Sequence, residues 1–423
     1  MMAERPDQSL PQQTRSWADL KAAYRLLSNP AVDPQQIGRS HQALTRQVCE
    51  DQGLVLCVQD DCYLEAARLE ADRHLQHSTL AVLPRGDLLG MLDQRFFERP
   101  EPPVGETRSQ RRQRWRESCV WSEAVAAVGR PPRGCRFLHV MDRAGDEWEA
   151  MQSCRREESV GFLIRAQHNR RVEGGTTKLW PHLRGQEIAG RLPVQVSTQK
   201  NWHSRTSTRR KREASVSVRF ATVRLETPRK WPSRTPPQVV QAVYLEEESP
   251  PVGEDPIEWM LLTSEPVRSF TDAQRIIALY ERRWLIEEWH RALKEGCRLK
   301  GSQLDQPQDV QRLSAMLSLL AVRLLQLRDL ADPQRLSGEV DDPAALQRLA
   351  PSLWLTVVAL LLRCQPQELT PRQFWRALAK QGGYIGRAGD PRPGWKVMWK
   401  GWYDISQMVR GAELMQQAAQ KCG

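Results

Sequence analysis

"YERRWLIEEWHRALKEG", residues 280–296, decides how the rest of the chain is read. At about 100° per residue, Tyr280, Arg283, Glu287, Arg291 and Lys294 fall within an arc of roughly 80° on a helix. Leu285, Ile286, Trp289, Ala292 and Leu293 take the opposite side. Such a stripe has two readings. It is a solvated face stitched by i,i+4 ion pairs, each contributing a few tenths of a kcal/mol. Alternatively it is a carboxylate held among cations and an aromatic hydroxyl, as a phosphodiester site requires.

Composition narrows the partner. Lys and Arg total 62 against 51 Asp and Glu, a net charge of +11 over 423 residues. That excess favours a polyanion through counterion release and long-range attraction. The start, "MMAERPDQSLPQQ", lacks the apolar core of a signal peptide. The longest apolar runs, 317–327 and 353–362, are too short to span a bilayer. A soluble, cytoplasmic, nucleoid-associated chain with no membrane partner is expected. Nine cysteines without a CxxC pair, beside eight histidines, read as reduced buried thiols rather than a zinc site.

Apolar runs then lay out the elements. "SWADLKAAYRLLSNP" predicts a helix capped by Ser16 and stopped near Asn29-Pro30. "LVLCVQD" (54–60) and "CRFLHVMDR" (135–143) predict buried strands ending in acids, with 78–83 and 88–97 as a meander through "PRGD". A helix over 117–129, another over about 146–157 and a strand over 161–167 complete a mixed α/β sheet. From 168 to about 255 short alternating runs such as "ASVSVRFATVRL" surround a basic loop, which predicts an inserted β-rich unit. "WMLLTSEP" (259–266) returns to a buried strand, and the chain beyond about 271 is helical.

Asp60 and Asp142 both close predicted strands. If those strands are neighbours, the two acids converge where open α/β sheets place ligands. Converging carboxylates repel unless a cation neutralises them, and an all-oxygen set points to Mg²⁺ or Mn²⁺. Two such ions activate an attacking oxygen and stabilise a leaving one in phosphoryl transfer. The competing reading of each acid is a turn residue or helix cap.

The 280–294 stretch resembles the Y-x2-R-x3-E-x6-K signature of bacterial cut-and-paste DDE transposases of the insertion-sequence-four group, which includes the transposon-five transposase. All four positions are filled, by Tyr280, Arg283, Glu287 and Lys294. The likeness extends through "VQDDCYLE", "VMDRAGDEWE", "WMLLTSEPVRS", "LLAVRLLQLR" and "GGYIGR...GWKVMWKGW". It implies an RNase H-like mixed-sheet core, interrupted by a β-rich insertion and followed by a helical C-terminal domain. The implied divisions are 1–50 (partial N-terminal helical DNA-binding region), 51–167 and 258–330 (the core), 168–257 (insertion) and 331–423 (dimerisation). Asp60, Asp142 and Glu287 are then the catalytic, metal-binding triad of a two-metal site. Tyr280, Arg283, Arg291 and Lys294 contact phosphate, Trp259 stacks a flipped base and Arg165 contacts DNA. The implied partners are transposon ends and target DNA, engaged by a homodimer in a synaptic complex.

Clusters 108–116 ("RSQRRQRWR") and 205–212 ("RTSTRRKR") are candidate phosphate contacts, and Trp395, Trp399 and Trp402 read as core or dimer packing. The likeness begins near residue 20, within or after the family's N-terminal segment. That leaves a second reading, an N-terminally shortened non-catalytic inhibitor that acts by dimerisation. A host nuclease on the same scaffold is a third.

Overall fold

A computed structural model of the chain describes residues 9–14, 16–69, 73–99, 101, 103–107, 110, 114–174, 177–196, 199–200, 208–209, 212–228, 235–330, 341–387, 390 and 393–422. Its centre is a nine-stranded mixed sheet. The strands are β1 (Gly53–Tyr63), β2 (His74–Val82), β3 (Leu88–Glu98), β4 (Cys135–Met141), β5 (Val160–Arg165), β6 (Gly190–Val196), β7 (Arg212–Leu225), β8 (Gln238–Glu247) and β9 (Glu258–Thr263). They lie in the order β3-β2-β1-β4-β5-β9-β8-β7-β6. Among the described strands only β1, β4 and β5 run parallel to one another, and antiparallel strands extend the sheet on both sides.

Strands buried on both faces must be covered twice. On one face lie α3 (Cys119–Val128) and α4 (Trp148–Cys154), which lead into β4 and β5 and bury Trp121 and Met151 against Val55, Cys57 and Phe137. On the other lie α5 (Phe270–Glu281), α6 (Trp284–Arg291) and α7 (Pro307–Leu330), which pack on Leu56, Val58 and Val140. The N-terminal helices α1 (Trp17–Leu27) and α2 (Arg39–Val48) border them. Ser16 caps α1 by accepting from the Asp19 N–H at 3.1 Å, as its sequence predicts.

Residues 168–255 are β-rich, but their longer strands are not a separate sheet: β6, β7 and β8 continue the central one through β9. Alternation in sequence predicts a strand and says nothing of which edge it joins. A short pairing of Gln199–Lys200 with Thr208–Arg209 stands apart.

Helix α7 as a whole is long and apolar enough to cross a membrane, although the run 317–327 alone is not. It lies instead in the core, with 61% of its most apolar window buried. Ser314 Oγ donates to Gln76 Oε1 at 2.6 Å, and Gln94 Nε2 donates to Ser318 Oγ at 2.7 Å, fixing the helix on β2 and β3. Its Arg312 donates to the carbonyls of Leu27 (2.8 Å) and Val32 (2.6 Å), tying down the end of α1.

A third core joins α8 (Ser352–Leu362), α9 (Pro371–Gln381) and α10 (Trp395–Cys422). Helices α9 and α10 approach so closely that a methyl on Gly382 would overlap the Val397 carbonyl and one on Gly401 that of Leu378. Trp395 and Trp399 are buried in the main core, and Trp402 lies 4.4 Å from Trp354 between ring centroids. These tryptophans serve packing.

Candidate active site

Side-chain alternation aims the acids. Leu56 and Val58 face α5–α7, so Asp60 does too, and Leu138 and Val140 carry Asp142 to the same side. The parallel register ends with Val58 opposite Val140, which places both acids two residues further on, at one level of adjacent strands. Asp60 does not end its strand. β1 runs on to Tyr63, held there by β2 alone. Asp142 does turn the chain, its Oδ1 accepting from the Ala144 N–H at 2.8 Å. A turn role thus does not exclude the site role expected of Asp142.

Glu287 arrives from above on α6, whose Leu285, Ile286 and Trp289 are buried on the sheet. The stretch 280–296 is not one helix. α5 ends at Glu281, Arg283 caps α6, and Ala292–Gly296 form a π-helical turn. On a straight helix Tyr280 and Glu287 would share a face. The tight turn at 282–283 lets Tyr280 sink to 4% exposure while the Glu287 side chain stays 56% exposed.

Arg283 is the hub. Its Nη1 lies 3.5 Å from Asp60 Oδ2, and its Nη2 donates to Glu287 Oε1. Burial works against its charge, but Tyr280, Asp60, Glu287 and Asp142 together hold its pKa above the ordinary value. One cation thus sits in the field of all three predicted acids. Asp60 shows the converse strain. Burial, followed by Asp142, Asp61 and Glu287, pushes its carboxyl up to about 7, against the pull of Arg283. His290, three residues after Glu287, places Nδ1 3.8 Å from Asp60 Oδ2, and burial keeps it neutral with its pKa lowered to about 3.

Beside this hub, Trp259 and Arg165 project from β9 and β5 toward the same helices. Trp259 meets Tyr280 edge to face at 5.2 Å, and the Arg165 guanidinium covers the indole at 5.6 Å. Arg165 also donates to the Glu258 carbonyl at 3.1 Å, and burial lowers its pKa. Among the described residues it forms no ion pair. Lys294, on the π turn, is drawn to Glu65 at 2.8 Å, where Lys300 also binds at 2.9 Å. Arg291 is exposed.

The cations of the basic clusters whose side chains are described are paired with carboxylates. Arg114 pairs with Glu106 (2.7 Å), Arg116 with Glu149 (3.6 Å), and Arg212 with Glu247 (2.5 Å). Residues 108, 109, 111–113, 205–207, 210 and 211 lie outside the described residues.

Several groups carry no sequence signal strong enough to single them out. Glu65 and His290 sit among the signature residues without belonging to the signature. On the opposite sheet face Asp61 accepts from His77 Nδ1 at 2.6 Å, His77 Nε2 lies 3.3 Å from Gln59 Oε1, and Gln59 Nε2 donates to His139 Nδ1 at 2.6 Å. Asp146, fully buried, holds Arg170 at 2.5 Å and the backbone N–H groups of Gln167 and His168.

Among the described residues no three His, Cys, Asp or Glu side chains stand close enough to hold a metal ion as placed. The donor chemistry nonetheless suits a hard divalent cation. Asp60 and Glu287 share one guanidinium with Asp142 in its field, and burial first, then the neighbouring acids, push the Asp60 carboxyl up.

Residues 1–32 match the family model described as transposase DNA-binding. The match supports a transposase. It also supports DNA as a partner and suggests a DNA-processing enzyme. It falls on the part of the chain where the signature-based reading expected a shortened segment. There α1 exposes Trp17, Tyr24 and Leu26 while Leu27 anchors it in the core.

Proposed function

We propose that the chain is a cut-and-paste DDE transposase with an RNase H-like core, cleaving DNA at transposon ends and joining those ends to target DNA. The observation that supports the reading is the Arg283 guanidinium between Asp60 on β1 and Glu287 on α6, with Asp142 at the level of Asp60 on the adjacent strand β4.

In this reading Asp60, Asp142 and Glu287 hold Mg²⁺ or Mn²⁺. When bound, the ions supply the charge that activates an attacking oxygen and stabilises a leaving one. The chain's own residues do the rest. Arg283 grips a backbone phosphate bidentately, which a planar guanidinium does better than an ammonium. Lys294, Arg291 and Tyr280 hold adjoining phosphate oxygens. His290, buried against Asp60, fixes that carboxylate's orientation. Hairpin formation bends one strand sharply and unstacks a base, and Trp259, backed by Tyr280 and Arg165, offers a ring for it. Segment 331–423 provides dimerisation, so that a homodimer pairs two ends.

The test is incubation of the chain with Mg²⁺ and duplexes bearing candidate terminal repeats. Hairpin-ended products support a transposase. Nicking without end preference would favour a nuclease, and dimerisation with an active transposase without cleavage would favour an inhibitor.

A further inference from the structure

We propose that Arg283 is an internal counter-ion that keeps the three carboxylates closed to metal until a DNA phosphate draws the guanidinium away. The inference rests on the transposase reading and adds how its site is regulated.

Arg283 is engaged on both sides, by Asp60 at 3.5 Å and by Glu287, and its side chain is only 17% exposed. A guanidinium cannot shed its charge by losing a proton in a protein. A divalent cation needs the same carboxylate oxygens, so the two positive groups compete for one place. A phosphate offers the guanidinium the same planar pair of acceptor oxygens that a carboxylate does. Glu287, 56% exposed, is open to such an exchange.

Lys294 repeats the arrangement. Glu65 holds it at 2.8 Å while also holding Lys300 at 2.9 Å. Both cations of the signature are thus carboxylate-bound in the DNA-free chain. DNA entry exchanges carboxylates for phosphates at each, and at Arg283 that exchange frees metal ligands.

Manganese titration calorimetry on the full chain tests this without relying on cleavage. DNA-free wild type should bind Mn²⁺ weakly, and Arg283→Gln roughly tenfold or more tightly, because a charge within about 4 Å of the ligands is removed. Arg283→Lys, which keeps the charge and shortens its reach, should fall between them and guards against misfolding of the first variant. Arg282→Gln should match wild type, since Arg282 donates instead to the Pro84 carbonyl at 3.0 Å. Adding a duplex, with Asp142→Asn on the same duplex as blank, should bring wild type to the affinity of DNA-free Arg283→Gln. The counter-ion role is overturned, with the transposase reading intact, if Arg283→Gln gains nothing while wild type gains on DNA. It is also overturned if Arg282→Gln gains as much as Arg283→Gln. Absence of Mn²⁺ binding in every state would overturn both the role and the reading beneath it.

Discussion

Asp60 and Asp61 are neighbours in one strand and live in opposite chemical worlds. Asp61 faces the α3 side, where His77, fully buried and edge-on to Trp121 at 4.8 Å, is its dedicated partner. Asp60 faces the α6 side, where it shares Arg283 with Glu287 and is crowded by Asp142. The first arrangement is closed and self-satisfied. The second sets three acids against one shared guanidinium, an imbalance that on the proposed reading a divalent cation would offset. The contrast teaches that an acid's use follows from which face it is on, and one residue of register decides that.

Four measurements would break or sharpen this contrast. The largest effect belongs to the charged face. Asp60→Ala, Asp142→Ala and Glu287→Ala should each lower strand cleavage by roughly a thousandfold or more. Asp61→Asn should leave cleavage within a few-fold, and a gel assay in which it matched the triad variants would erase the distinction.

Next comes the pH dependence of the metal-free protein. An acid whose carboxyl rises from 3.8 to about 7 on folding favours the fold while protonated. That contribution is complete below about pH 4 and is lost as pH climbs through 7. Asp60→Asn should therefore stabilise the metal-free chain most at pH 8, by no more than about 4 kcal/mol, less than half as much at pH 5, and scarcely change it below about pH 4. Denaturant titrations showing equal gains at pH 8 and pH 5 would remove the strain assigned to Asp60.

On the closed face, Asp61→Asn should cost about 1–3 kcal/mol at neutral pH, because it weakens a hydrogen bond to a buried imidazole. A melting temperature unchanged from wild type would show that face to be less committed than its geometry implies. The smallest effect is expected at Trp259. Trp259→Ala should slow hairpin formation about tenfold relative to first-strand nicking, the scale of one stacked base. Equal slowing of both steps would leave Trp259 a packing residue.

The strands were readable because apolar runs of five to seven residues bounded by acids, prolines and glycines have few other uses. "LVLCVQD" and "CRFLHVMDR" fall on β1 and β4, and the parallel pairing that brings Asp60 level with Asp142 follows once they are neighbours. What lay beyond reach depends on partners distant in the chain. Nothing in "ASVSVRFATVRL" says that β7 extends the central sheet. Helical periodicity places Tyr280 and Glu287 together, and only the packing of Tyr280 against Trp259 shows why the chain breaks between them. His77 and His139 carry no local pattern, since their meaning lies in Gln59 between them.

The π-helical turn at Ala292–Gly296 has a consequence for how this stretch tolerates change. A wide turn holds one residue more than the regular winding it replaces. Removing a single residue there would restore ordinary winding and rotate Lys294 by about a quarter of a circle away from Glu65. Gly296 sets the opposite boundary, because a side chain at that position would collide with the Trp395 ring. Spacing in this segment is therefore under tighter constraint than side-chain identity, and a one-codon deletion should be more damaging than most substitutions.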